Sequence, residues 1–321
     1  MSRSGKFYST DSKERQTKVT PEQLFTEWGG VLEDGFTVMH APVRHSPAGT
    51  PYLTQPGVVL VSRPQVKLAG LRAFLAGFDA NLQFDQYLDD PEPLAPGAQL
   101  CKIAGQTCYA SFGPKRTRNE QAARYFENLL SSGHGSVLEH ATYSFLLYGI
   151  SRSLTHELIR HRAGFGYSQL SQRYVSGRVL RFVERPEFQD GGALHQQFLQ
   201  RIDRSHAEYH ALAARLLAAQ QAGTALLSAE AATDLRKKVN QSARALLPNE
   251  TETIVVVTGN VRAWRHFIEM RASAHSELEI RGLALRLFLC LHRLEPLLFG
   301  DYQLAPLPDA TLTVSTAYRK V

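Results

Sequence analysis

The chain has 321 residues, 43% of them hydrophobic and 21% charged, the composition of a globular protein with room for one large domain or two smaller ones. Thirty-six Lys and Arg against thirty Asp and Glu give a formal charge of +6, which suits an anionic partner such as a nucleotide, a nucleic acid or a polyanionic cofactor without choosing among them. Cys101, Cys108 and Cys290 lie far from CxxC spacing and are odd in number, so a disulfide framework is not expected and a reducing, cytoplasmic compartment is.

The start, MSRSGKFYSTDSKERQTK, lacks the apolar run of a signal peptide. Residues 1–64 are expected to form an N-terminal extension of loops and edge structure in which only Gly57–Ser62 reads as a strand, and residues 65–321 the main domain. Val66 to Tyr87 reads as strand then helix, and Pro91 to Gly97 as a linker. A helix follows, with Ala122, Tyr125, Phe126, Leu129 and Leu130 at helical spacing and a stop at Gly133. ATYSFLLYGIS alternates like a strand, and RSLTHELIRH returns to helical period. LHQQFLQRIDRSHAEYHALAARLLAAQQAG and AEAATDLRKKVNQSARALLP predict two more helices, the second closed by Pro248. ETETIVVVTGN is a strand and turn. A long, broken helical segment follows, with Asn260 as its N-cap. Its stretch Leu283 to Phe299 is interrupted by Arg286, His292, Arg293 and Glu295, which predicts an amphipathic buried helix rather than a membrane span. The fold class expected is α+β, a mixed β-sheet flanked by helices.

Chemistry concentrates in HELIRHRAGFGYSQLSQRYVSG, His156 to Gly177. Arg160, His161 and Arg162 are consecutive, so on a helix they would point about 100° apart; they suit a helix end wrapped by a charged ligand. Behind them Ser168, Gln169, Ser171, Gln172, Arg173 and Tyr174 supply donors for phosphate oxygens and a polar ring edge. A basic exposed turn is the plainer alternative. Lys237, Gln241 and Arg244 form one helical stripe suited to a phosphate or to solvent, and Arg262/His266 and Arg271/His275 repeat an i, i+4 pairing beside Trp264 and Phe267. His134, Glu139 and His140 match none of the compact ligand spacings, so no metal is expected. Neither GxGxxG nor GxxxxGK[ST] occurs, and no cysteine neighbours a histidine as a nucleophile would.

Five ordered blocks, SSGHGSVLEH, GISRSLTHELIRHR, YSQLSQRYV, ARALLPNETETIVVVTGN and RAWRHFIEMRASAHSELEIRGLA, together with the RHR, spacer, SxR signature, resemble the flavin-dependent thymidylate synthases from about Leu100 to Phe299. The resemblance implies reductive C5-methylation of dUMP to dTMP by an FAD enzyme that uses NADPH and 5,10-methylenetetrahydrofolate, in a homotetramer whose sites lie between subunits. It implies FAD contacts at Ser136, Arg160, His161, Arg162, Gln169, Asn260, Arg262 and His266, with His134, Glu139 and His275 close to the same cofactor. It implies dUMP contacts at Glu157, Arg160, Gln169, Leu170, Ser171, Gln172, Arg173 and Arg244, a further anion contact at Lys237, and Arg271 polarising the uracil. Eight residues separate Arg162 from Ser171, one more than is usual in the family, and Ala163 to Gly166 is expected to absorb the insertion as a mobile hinge. Two alternatives remain in view: methylation of UMP or another uracil nucleotide, and a non-catalytic nucleic-acid-binding protein. The absence of a basic run or an RNA-binding aromatic motif counts against the latter.

Overall fold

A computed structural model describes residues 19–174, 177–222 and 232–319. Thr20 and Gln23 cap each other reciprocally and Pro21 sets the first turn, so α1 (Pro21–Glu27) starts sharply. β1 (Gly30–Glu33) and β2 (Phe36–Met39) form a hairpin closed by Asp34 and Gly35, both at positive φ, the turn that matches the twist of paired strands. β3 (Val43–His45), β4 (Pro51–Leu53) and β5 (Gly57–Ser62) follow. Where a strand and helix were expected over Val66–Tyr87 there are instead 3-10 turns around a short α2 (Arg72–Ala76). Leu75 and Tyr87 from this segment bury themselves with Phe112 in a small satellite core, so its apolar residues are satisfied without sheet pairing.

α3 (Pro96–Thr107) begins inside the expected linker, its first amides bonded by the buried Glu295 carboxylate. Then come α4 (Ala122–Ser131), β6 (Thr142–Ser151), α5 (Arg152–Leu158), β7 (Phe165–Gln169), β8 (Phe182–Val183), α6 (Ala193–Gln221) and α7 (Ala232–Ala243). The first residues expected in that last helix, 229–231, lie outside the described residues. β9 (Glu252–Asn260), α8 (Val261–Arg271), α9 (Leu278–Leu294), α10 (Pro296–Phe299), β10 (Gln303–Pro306) and β11 (Leu312–Ser315) complete the chain.

The main sheet has the order β1-β2-β5-β6-β9-β7, antiparallel throughout, while β3-β4-β8 is mixed, with β4 and β8 parallel. The fold is therefore α+β, with mixed strand pairing and flanking helices. The segment expected as loops and edge structure supplies three of the six main strands, and Leu24, Phe25, Met39, Val58 and Leu60 join the principal core. β5 is the strand expected over Gly57–Ser62, and it pairs with β6; β1 and β2 are short and set among Gly and Pro, which hides them in sequence. α9 is buried on every side from Leu283 to Leu291 rather than along one stripe. Arg286, within it, reaches Gln55 at 2.7 Å and lies 5.5 Å from the Trp28 ring, and burial lowers its pKa to about 10. Among the described residues, no helix is long and apolar enough to cross a membrane.

Candidate active site

The site is organised by α5. Ser151 caps it, its Oγ accepting the Leu154 amide and donating to Glu279 of α9, which also accepts the Ser151 amide. The helix ends at Leu158, so Arg160, His161 and Arg162 lie beyond its last turn, where the Tyr167 hydroxyl donates to the carbonyls of Leu158 (3.1 Å) and His161 (2.6 Å). Released from helical period, the three diverge. Arg160 and Arg162 are exposed, whereas His161 turns inward, edge-on to Phe267 at 5.1 Å and 5.7 Å from the His266 ring.

Arg271, the last residue of α8, meets this turn. Its Nε donates to His161 Nε2 at 2.9 Å, one terminal nitrogen donates to Glu157 Oε2 at 2.5 Å, and the other reaches the Glu157 carbonyl at 3.3 Å. Burial first, then the charge of Arg271 and the proximity of His266, lower the His161 pKa to about 4, so the ring is neutral at ordinary pH and its Nε2 can accept the hydrogen bond that Arg271 donates. Burial raises the Glu157 pKa, as does a hydrogen bond to Glu277, against the opposing pull of Arg271.

The segment expected to be a mobile hinge is built in. Phe165 and Gly166 belong to β7, paired with Gly259 and Thr258 of β9, and Phe165 lies edge-on to Trp264 at 4.9 Å. Gly164 has φ +75°, its carbonyl accepts the Asn260 amide at 3.2 Å, and a Cβ on it would lie 2.8 Å from Asn260 Nδ2. Glycine permits this close approach at positive φ. The spacer thus becomes an edge strand because β9 offers it a ladder of hydrogen bonds, a partner that local sequence cannot reveal. At the far end of β7, Gln169 donates to Thr155 and Thr253 hydroxyls at 3.3 and 3.2 Å, and the Leu170 amide bonds the Ile254 carbonyl.

Beyond β7 lies a polar depression of about 430 Å³ lined by Arg152, His156, Gln172, Gln241, Arg244 and Asn249, among others. Arg152 and Arg244 are half-buried, and among the described residues neither forms an ion pair with an acid. Burial chiefly, and the neighbouring Arg244 charge, lower the Arg152 pKa. Two guanidiniums held together without a carboxylate are suited to an oxyanion, since a bound anion would offset their repulsion and desolvation. A neighbouring depression of about 300 Å³ also has two arginines, Arg185 and Arg201, but each is paired with a glutamate. At the rim, Arg173 and Lys237 approach the Tyr174 ring at 5.2 and 5.0 Å, and Ser171 is half-buried.

A third group lies along the start of α8. Asn260 caps the helix by accepting the Ala263 amide at 2.8 Å, while exposed Arg262 pairs with Glu139 at 2.6 Å. The turn Gly135–Glu139, which holds exposed Ser136 and follows exposed His134, packs against α8, and His266 is exposed one turn along. The Arg271/His275 pairing expected on one helix is not formed, because α8 ends at Arg271 and leaves His275 exposed in the following turn. His161 joins the groups, touching Arg271 on one side and His266 on the other. Sequence reasoning counted His156 among the gathered cations but gave it no role, and did not single out Arg152 or Asn249; the available signal was the i, i+4 spacing of Arg152, His156 and Arg160. Among the described residues, no group of three or more His, Cys, Asp or Glu is placed to hold a metal ion.

Residues 94–297 match the family model described as thymidylate synthase complementing protein. The chain belongs to the flavin-dependent thymidylate synthase family. It is 45% identical over 218 residues to the flavin-dependent thymidylate synthase of Mycobacterium leprae, covering 67% of this chain and 84% of that protein. The counterpart from Mycobacterium avium is 48% identical over 220 residues, 67% of this chain and 83% of that protein. A crystal structure of a UMP/dUMP methylase, PolB, from Streptomyces cacaoi bound with 5-Br dUMP shares the fold, with a TM-score of 0.50, 20% identity, and coverage of 77% of this chain and 94% of that one. The family match begins at residue 94, so α1 and strands β1, β2 and β5 of the main sheet lie outside it.

Proposed function

We propose that this chain methylates C5 of dUMP reductively to give dTMP, taking the carbon from 5,10-methylenetetrahydrofolate and the hydride from FAD reduced by NADPH. The observation that supports it most is the pair of guanidiniums, Arg152 and Arg244, without an acid among the described residues, together with the Glu157, Arg271, His161 triad, Arg152 and Glu157 being carried by the same helix α5. The pair suits a nucleotide phosphate and the triad its base. Gln172, Gln241 and Asn249 supply neutral donors around the same depression.

Arg271 stays protonated at any working pH, so at the uracil edge it stabilises negative charge developing in the ring. Neutral His161 and the Glu157 carboxyl fix its orientation by accepting its hydrogen bonds. Activation by a thiolate is disfavoured at the two buried cysteines: burial pushes the Cys101 and Cys290 thiols up to about 12. Exposed Arg160, Arg162, Arg262, His266 and Ser136 form a donor set, mostly cationic, that fits the diphosphate and polar ring edge of FAD. When bound, the flavin supplies the hydride that no side chain can. Their exposure on one protomer accords with a homotetramer whose sites lie between subunits.

Purified protein mixed with dUMP, methylenetetrahydrofolate, NADPH and FAD is expected to form dTMP and to show flavin absorbance. A colourless protein that forms no dTMP would overturn this reading. Running UMP in parallel decides whether the ribonucleotide is an alternative substrate.

A further inference from the structure

Gln169 ends β7, and its half-buried side chain donates twice from Nε2, to Thr155 of α5 at 3.3 Å and to Thr253 of β9 at 3.2 Å. A primary amide has two N–H groups and one carbonyl oxygen, so its donors are spent on the protein and Oε1 is left for a ligand. Among the described residues Oε1 has no partner, and it is not sealed from solvent. An amide turned over by 180° has nearly the same shape with its ends exchanged, so something must decide which end faces outward. Thr155 decides it. Its hydroxyl donates its one proton to the Arg152 carbonyl at 2.9 Å, so toward Gln169 it can only accept. The Thr253 hydroxyl has no other partner among the described residues and fits either orientation.

We propose that Thr155 is a positioning residue that holds the Gln169 amide with its carbonyl oxygen outward, as an acceptor for the imide N–H that uracil and the isoalloxazine ring share. The inference rests on the reading of Gln169 as a nucleotide or flavin contact. Turned over, the amide would set its carbonyl oxygen against the lone pairs of Thr155 and offer the ligand N–H groups instead. A fixed acceptor favours a ring N–H and disfavours a ring nitrogen that carries a lone pair, as in cytosine, because two acceptors face to face leave both unpaired. Arg152 thereby serves twice. Its guanidinium lines the polar depression, and its carbonyl takes the proton that commits Thr155 to accepting.

The test titrates FAD into flavin-free full-length protein and dUMP into the FAD-loaded protein, for Thr155→Val, Thr155→Ser, Gln169→Ala and Thr155→Val combined with Gln169→Ala. Valine keeps the shape of threonine and loses the hydroxyl; Thr155→Ala, run beside it, is read the same way. Thr155→Val is expected to weaken one of the two ligands by about 3- to 10-fold in Kd, the worth of one hydrogen bond, and the ligand weakened is the one whose imide Gln169 meets. Thr155→Ser keeps the hydroxyl and is expected to bind within about twofold of normal. In the Gln169→Ala background, adding Thr155→Val is expected to cost less than about twofold more, because a residue that acts through Gln169 has nothing left to act on. Unchanged binding of both ligands in Thr155→Val, or an undiminished loss in the Gln169→Ala background, overturns the inference alone. An unaltered protein that binds neither dUMP nor FAD overturns the function reading, and this inference with it.

Discussion

Replacing Arg244 with Ala separates an anion site from an ordinary structural arginine, because the two readings predict opposite effects on the free protein. Among the described residues Arg244 has no acidic partner, and it stands near Arg152, whose charged form is already disfavoured by burial and by Arg244 itself. Removing it relieves a repulsion, so the free protein is expected to be as stable or slightly more stable, by no more than about 1 kcal/mol, the ceiling for a partly solvated charge pair. Nucleotide binding is expected to lose about 1.5–3 kcal/mol, the contribution of a hydrogen bond to a charged group, which is roughly 10- to 150-fold in Kd. Isothermal titration with dUMP measures the second effect and thermal denaturation without nucleotide the first. Deoxyuridine is the control: lacking the phosphate, it should bind the variant and the unaltered protein equally. A dUMP affinity within twofold of normal, or a free protein that melts well below normal, would refute the argument. Arg152→Ala is expected to behave alike.

Arg271→Ala is expected to abolish dTMP formation while flavin absorbance largely remains, and normal turnover in that variant would contradict its role. Gly164→Ala is expected to destabilise the protein by about 1–3 kcal/mol in urea denaturation, because the residue has φ +75° and its Cβ would press on Asn260 and Ala263. His161, with its pKa held near 4 against an ordinary 6.5, takes up its proton later in the folded state than in the unfolded one. Stability should therefore fall as pH drops through the window from about 6.5 to about 4, by up to about 3 kcal/mol from this group at 1.36 per pH unit. His161→Gln keeps an acceptor for Arg271 and removes the titration, so urea midpoints at pH 6.5 and pH 4.5 should differ less in the variant than in the unaltered protein.

The chain's periodicities predicted its long elements well where local signals were strong. The apolar spacing before Gly133 gave α4, the alternation of ATYSFLLYGIS gave β6, and Asn260 caps α8 as its residue type predicts. Motif order was enough to place the family and to name Glu157, His161 and Arg271, which meet between α5 and the end of α8, and Gln172 and Arg244 of the polar depression, but not its Arg152 or Asn249. Of the N-terminal strands of the main sheet, Gly57–Ser62 was legible, whereas β1 and β2 were hidden because each is only four residues long and packs on a sheet completed by strands distant in sequence. The same holds for Ala163 to Gly166, whose glycines read as a hinge but whose last residues complete a sheet edge against β9.

Residue types, their order along the chain and the excess of cations follow from the sequence alone, because helical and strand periods and capping are local. Which cations remain without an acid is a tertiary fact. Arg185, Arg201, Arg262 and Arg265 each find a carboxylate, while among the described residues Arg152 and Arg244 do not, and only the fold brings the first residue of α5 and the turn after α7 to one depression. His161 likewise owes its neutrality to burial beside Arg271, 110 residues away in the chain. Electrostatic environment depends on distance and desolvation, and both are set by the fold.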